Sequence, residues 1–442
     1  MANPFLGLIR VKELRERILY TVGMLAVFRL GTVITVPGIN VRVLKAYFIE
    51  QQGSGNAIVD YLDFFAGGAF SNFSVFMLGI MPYISMSIIM QLLLIVFPAL
   101  KKLSQEEGGR KKIQTYQRYG TVLVCLIQSF AVTQYAQSIK RTAESVLTMN
   151  DFSFTLVAML TVTTGTMFLM WMGEQITKRG IGNGISLLIY AGIVARLPQA
   201  IWELGSKVRS GELNLVFVII VLFMFVAVVT LVVFEQQGQR KITVHYAKRV
   251  VGRRMYGSTN TYIPFKINPS GVIPVIFASS ILTFPLQIAS TIGGNVPWLA
   301  AVARVLAPQG WLYNILYVML IIFFAYFYTQ VTLNPIEIAK NIRENGGSIP
   351  GIRTENIETY LTKILNRIVL PGSLYLALIA IIPTIVQIIF DFPSSISYLM
   401  GGTSLLILVG VDLDTMSQIE ALLKMHHHDG LTKRGRLRGR NL

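Results

Sequence analysis

Charge is scarce in this sequence. Only 14% of its 442 residues are Asp, Glu, Lys or Arg, where an average soluble domain has roughly 25%. A soluble chain of this size needs a polar skin, and so few charges cannot supply one. With 53% hydrophobic residues and a mean hydropathy of +0.58, a disordered chain and a coiled coil are excluded as well. The lone cysteine, Cys125, sits in an apolar run. It makes no intrachain disulfide, which excludes a disulfide scaffold. His245 and the run His426-His427-His428 are the only histidines. Three adjacent histidines in a polar tail are a poor signal for a metal site. Nothing assembles a Ser/His/Asp or Cys/His set, so neither an enzyme nor a cofactor is expected. The pattern G-x-x-x-x-G-K-[ST] is also missing. Without a P-loop, any work the chain does must draw energy from another protein or from a polymerising chain.

Long apolar runs are what the sequence has in abundance. A membrane span needs about 20 apolar residues, and ten runs qualify: 18–38, 73–97, 117–137, 152–173, 183–203, 214–235, 270–292, 311–334, 367–390 and 395–412. The first follows Arg10, Lys12, Arg15 and Arg17, as in a signal peptide. Its apolar run is too long and no small-x-small cleavage pattern follows, so it reads as a retained span. The polar stretch 204–213 divides the runs five and five, into segments 1–203 and 214–442. An odd-numbered half followed by its like inserts upside down, which is the arithmetic of an inverted repeat.

Basic residues set the orientation. With the N-terminus in the cytoplasm, cytoplasmic segments hold 29 Lys and Arg and exterior segments hold eight. That asymmetry puts both termini inside. It also explains the formal net charge of +17 as basicity concentrated on one face of the membrane. The eight exterior cations include Arg196, Lys207 and Arg209. Within the spans, Arg29 is the main ionisable side chain, and Arg118 lies near a span end. Ion-coupled transporters usually carry carboxylates or histidines at mid-depth, so a secondary transporter is disfavoured. Neutral polar residues do occur there: Ser85, Ser87, Gln91, Gln128, Ser129, Ser279, Ser280 and Thr283. They read either as helix–helix hydrogen bonding or as a seam that opens and meets water.

Two segments do not fit a plain bundle. Residues 60–72, DYLDFFAGGAFSN, are too short to cross a membrane. They read as an interfacial helix with an aromatic belt, or as a short re-entrant helix buried in protein. Residues 236–269 contain an alternation that puts Ile242, Val244 and Tyr246 on one face. This period of two predicts a β-hairpin in the cytoplasm. Its cations read as a solvated loop or as a docking surface. Gly180-Ile181-Gly182-Asn183-Gly184 imitates a phosphate loop, but no strand precedes it, and a tight turn between spans is expected. Ile80 and Ile84, like Ile185 and Ile189, are four apart and share a helix face.

Five motifs carry a resemblance that covers nearly the whole chain: LGIMPYIS (78–85), TGTMFLMWMGEQITKRGIGNGIS (164–186), GVIPVIFASS (271–280), PGIR (350–353) and GGTSLLI (401–407). In this order and spacing they resemble the SecY family, the channel-forming subunits of the Sec protein translocon. The resemblance implies an all-α membrane protein of ten transmembrane helices. Its two five-helix halves would form a clamshell around a central pore, with a short re-entrant plug helix. It implies a pore ring of Ile80, Ile84, Ile185, Ile189, Ile276 and Ile407. It implies a plug over 60–72, including Asp60, Asp63, Phe64, Phe65, Gly67, Gly68 and Phe70. A lateral gate between spans two and three and spans seven and eight would include Ser85, Gln91, Gln128 and Ser280. The basic loops 236–269 and 335–367 match docking sites for SecA and the ribosome, with Arg240, Lys241, Arg253, Arg254 and Arg353 as candidates. The expected partners are SecE, SecG, SecA, the ribosome, preprotein signal peptides and membrane lipids. The expected location is the bacterial plasma membrane. A membrane scaffold or insertase that only binds nascent chains is the remaining rival.

Overall fold

The structure is a computed structural model. It describes residues 11–44, 46, 63, 66–138, 147–211, 215–246, 249–251, 254–256, 261–292, 310–390 and 402–434. These residues are mostly helical. Apolar runs form helices because a helix satisfies every backbone group within its own segment, which lipid cannot do. The helices are α1 (Lys12–Gly31), α2 (Met81–Val96), α3 (Pro98–Gln105), α4 (Gly109–Ser138), α5 (Asp151–Arg179), α6 (Gly184–Arg209) and α7 (Leu215–Gln237). After the strands come α8 (Ile273–Ile292), α9 (Trp311–Thr332), α10 (Pro335–Glu344), α11 (Ile357–Phe390) and α12 (Gly402–Arg434).

Among the described residues, five helices are long and apolar enough to cross a membrane, or six if the bent pair α2–α3 is one span. All ten predicted runs overlap a helix. Residues 395–401 of the predicted run 395–412 lie outside the described residues, and its remainder falls in α12; α1 and α4 mix charged residues into their apolar stretches. The second run is corrected at its start. Residues 73–80 are turns apart from a β-bridge of Ser74 to Thr35, and α2 begins only at Met81 with Pro82 in its first turn. It ends at Phe97, whose backbone is extended at φ −104° and ψ 104°. Proline at 98 disfavours a helical conformation for the residue before it, and the axis turns by 102° there.

The chain divides into two compact units. One comprises Met1–Glu203, Leu286–Ala303 and Ile407–Leu442; the other comprises Leu204–Pro285 and Arg304–Leu406. In the first, α4 packs on α5 and on α2. Phe70, Phe73, Met77, Val132, Phe154 and Val162 form a buried cluster that holds the turns before α2. Phe73 adopts φ 45°, a left-handed backbone that costs a bulky residue about 1–2 kcal/mol. Burial of its ring beside Phe154, with centroids 6.3 Å apart, offsets that cost.

The turn between α5 and α6 is the glycine motif. Gly182 sits at φ +82°. A Cβ on Gly184 would stand 2.0 Å from the Gly173 carbonyl oxygen, so only glycine lets α6 start this close to α5. The turn's amides are satisfied by side chains from three helices. Ile181 N donates to Thr21 Oγ1 (3.1 Å), Gly182 N to Gln418 Oε1 (2.9 Å) and Gly184 N to Thr177 Oγ1 (2.9 Å).

The second unit carries the strands: β1 (Gln239–Tyr246), β2 (Arg249–Val251), β3 (Arg254–Tyr256), β4 (Thr261–Lys266) and β5 (Gly347–Ser348). β1 and β4 are antiparallel, with Ile242 opposite Ile263 and Val244 opposite Thr261. β5 joins β1 on its other side, and β2 pairs with β3 nearer the tip. The predicted hairpin is therefore present. Ile242 and Val244 point into a cluster with Phe265, Ile342, Ile357 and Leu361. Asn334 caps α10 by accepting from Ile336 N (3.2 Å), with Pro335 at the first helical position, a combination suited to helix starts.

Candidate pore, plug and gate

Of the candidate plug residues, Asp63, Gly67, Gly68 and Phe70 are described; Asp60, Phe64 and Phe65 lie outside the described residues. The expected re-entrant helix is corrected over 66–72, which runs as successive turns. Gly67 and Gly68 force this, at φ +64° and +89°, where residues with a Cβ are strained. A Cβ on Gly67 would lie 2.7 Å from Gly192 Cα on α6. Two glycines therefore let the segment lie directly on the helix backbone. Phe70 is buried, its ring centroid 6.1 Å from that of Tyr135 on α4.

Two cationic side chains on helices of the first unit bear on this segment. Arg29 Nη1 on α1 donates to the Gly67 carbonyl oxygen at 3.0 Å. Arg196, on α6, forms an ion pair with Asp63; the two side chains are 18% and 10% exposed. Asp63 also accepts from Ser71 N through Oδ1 at 2.8 Å, and its carbonyl accepts from Gly68 N at 3.0 Å. Sequence reasoning put Arg196 in an exterior loop. It stands instead in the middle of α6 (Gly184–Arg209), and its carboxylate partner makes that placement tolerable.

Of the ring candidates, Ile80 caps the N-terminus of α2 and Ile84 lies on its first turn, both buried. Ile185 and Ile189 lie on α6 and Ile407 on α12, with Ile189 and Ile407 buried. These five belong to the first unit, and Ile276, on α8, belongs to the second.

Among the gate candidates, Ser85 and Gln91 lie on α2, Gln128 on α4 and Ser280 on α8. Gln128 and Ser280 are buried. Gln91 Oε1 is buried with no hydrogen-bond partner, an arrangement that costs about 1–3 kcal/mol. Several neighbouring hydroxyls do not bridge helices but bond backward along their own. Ser129 donates to Leu126 O (3.1 Å), Ser279 to Ile276 O (2.9 Å) and Thr283 to Ser279 O (2.6 Å).

A bidentate fork went unread in the sequence. Arg118 Nε and Nη2 on α4 donate to Glu174 Oε1 (3.1 Å) and Oε2 (2.6 Å) on α5, with Lys178 Nζ 3.8 Å from the same carboxylate. The signal was an arginine at a span edge and an acid just beyond another span. Pairing them needs the helix packing.

The docking candidates lie on strands and loops of the second unit. Arg240 and Lys241 are exposed on β1, with Lys241 Nζ 4.8 Å from the Tyr262 ring centroid. Arg254 lies in β3, and Arg353 is exposed just before a 3₁₀ turn at Thr354–Asn356. Arg253 lies outside the described residues.

Comparison with known proteins gives one family throughout. The SecY family model matches residues 74–416. The protein translocase subunit SecY of Borreliella burgdorferi is 46% identical over 426 residues, covering 96% of each chain. That of Escherichia coli K12 is 43% identical over 431 residues, covering 97% of this chain and 96% of its own. A solved structure of a protein-conducting channel has a TM-score of 0.65 at 20% identity, over 92% of each chain. Another solved structure bears on the plug domain of a SecY protein, which stabilises the closed state of that translocation channel. It has a TM-score of 0.63 at 19% identity, again over 92% of each chain. This chain belongs to the SecY family of translocase subunits, multi-pass membrane channels rather than enzymes.

Proposed function

We propose that this chain is the protein-conducting channel of the bacterial plasma membrane. It passes unfolded preproteins across and releases signal or transmembrane segments sideways into lipid. Ten spans, both termini cytoplasmic, form two inverted five-helix halves (1–203 and 214–442) joined by a hinge at 204–213. One observation carries this reading. A glycine-bent segment, 66–72, is packed in protein and followed closely by Ile80 and Ile84 at the head of an apolar helix. Irregular backbone at membrane depth is tolerated only when buried in protein or lining a cavity, and a plug against an apolar ring satisfies that condition.

The proposed ring is Ile80, Ile84, Ile185, Ile189, Ile276 and Ile407. Branched apolar side chains offer water no hydrogen bonds, so a narrow gap between them stays dry when idle and forms a gasket around a moving chain. The gate residues are Ser85, Gln91, Gln128 and Ser280. The orphaned Gln91 acceptor suits a seam that finds its partners only when opened. A signal peptide, itself an apolar helix, intercalates there, and its affinity for the open state shifts the population toward opening. SecE and SecG complete the complex. Lacking a P-loop, the channel takes its drive from SecA or from the ribosome. Arg240, Lys241, Arg253, Arg254 and Arg353 are the contacts, suited to ribosomal phosphates and to acidic protein surface.

The test is reconstitution with SecE and SecA in vesicles. A preprotein should become protected from external protease only with ATP. Preprotein that binds but stays fully digestible would favour a scaffold and contradict the channel.

A further inference from the structure

Arg29 and Arg196 are cations on apolar helices, and both reach the same short segment. Arg29 donates to the Gly67 carbonyl, while Arg196 pairs with Asp63 and lies 3.4 Å from the Asp63 carbonyl oxygen. Between those two points, Gly67 rests on the Gly192 backbone. Among the described residues, the amides of Gly68 and Ser71 are spent on Asp63 within the segment itself. We infer that Arg196, seconded by Arg29, is a positioning residue that latches the plug shut, and that breaking its bond to Asp63 is part of the work of opening. This rests on reading 60–72 as the plug.

The chemistry sets how strong the latch is. Both partners are largely out of water, so separating them within the protein leaves two uncompensated charges. Displacement outward into water rehydrates Asp63 but leaves Arg196 behind on α6. The latch therefore resists small excursions and releases only when the segment leaves altogether. A bond of this kind makes the closed state discrete and sets a threshold that a signal peptide must supply.

The test uses the purified complex with its partner subunits in planar bilayers, reading resting ion conductance. The variants are Asp63→Asn, Arg196→Gln, the two combined, and deletion of residues 60–70 as the reference for a missing plug. Either single substitution should raise resting conductance by roughly tenfold or more. The combined variant should leak no more than the leakier single, because both act through one bond. Arg29→Gln added to Arg196→Gln should leak further and approach the deletion. Translocation of a preprotein with a defective signal peptide should rise in the same order. If a single variant fails to assemble, the combined variant, which buries no unpaired charge, decides by its conductance alone. A leaky deletion with tight point variants would overturn the latch and leave the plug standing. A tight deletion would overturn the plug, and the latch with it. Leaks that simply add in the combined variant would overturn the pairing of Asp63 with Arg196.

Discussion

Gly184 shows how much one missing side chain decides. A Cβ there would meet the Gly173 carbonyl oxygen at 2.0 Å, and that oxygen belongs to a helix that cannot yield cheaply. Gly184→Ala should destabilise the purified protein by about 1–3 kcal/mol, read as a lowered unfolding temperature in detergent. Thermal unfolding unchanged from the parent would show that α5 and α6 can separate. Glu174→Gln should cost roughly 1–2 kcal/mol by weakening its fork with Arg118, and the same melt measures it. The proposed ring is tested by Ile84→Ser with Ile276→Ser, which should wet the constriction and raise resting conductance in planar bilayers. Leu222→Ser with Val226→Ser is the control, since both side chains turn outward on α7, 64% and 56% exposed. Ring variants as tight as the parent would reduce the isoleucines to ordinary packing.

At the scale of elements, the hairpin and the loop before α11 hold the candidate docking cations. Replacing cation with anion turns attraction to an anionic partner into repulsion, and the long-range part weakens with salt. Arg353→Glu, and Arg253→Glu with Arg254→Glu, should therefore impair translocation with little loss of stability. SecA binding and ribosome binding, measured separately over a salt series, check this; unchanged affinity in both would return these loops to plain topology signals. The hairpin was legible because alternation at Ile242, Val244 and Tyr246 has a period no helix shares. The glycine turn at 180–184 was legible because no strand precedes it. The start of α2 was not. Phe73, Val75, Phe76 and Met77 are as apolar as the helix that follows, so hydropathy runs straight through a stretch of turns held by tertiary burial. Arg196 was misread for a related reason. A cation near the end of an apolar run reads as a loop residue unless its partner is known, and Asp63 is 133 residues away.

For the whole molecule, the asymmetry of 29 basic residues against eight predicts ten spans with both termini inside. In a Cys125→Ser background, cysteines at positions 254 and 436 should resist a membrane-impermeant thiol reagent applied to intact cells. Labelling from outside at either position would invert the topology. That the chain is multi-pass could be read from composition alone. The path a substrate takes could not, because it depends on how residues far apart in sequence line one route. A preprotein stalled in transit addresses that path most directly. It should carry a single cysteine in its translocating stretch, in complexes with one cysteine at position 84, 185, 276 or 407. A conducting pore through this chain predicts disulfide adducts at all four ring positions, dependent on ATP and SecA, and none at position 222. Adducts at 222 with none at the ring, or adducts that form without ATP, would contradict it.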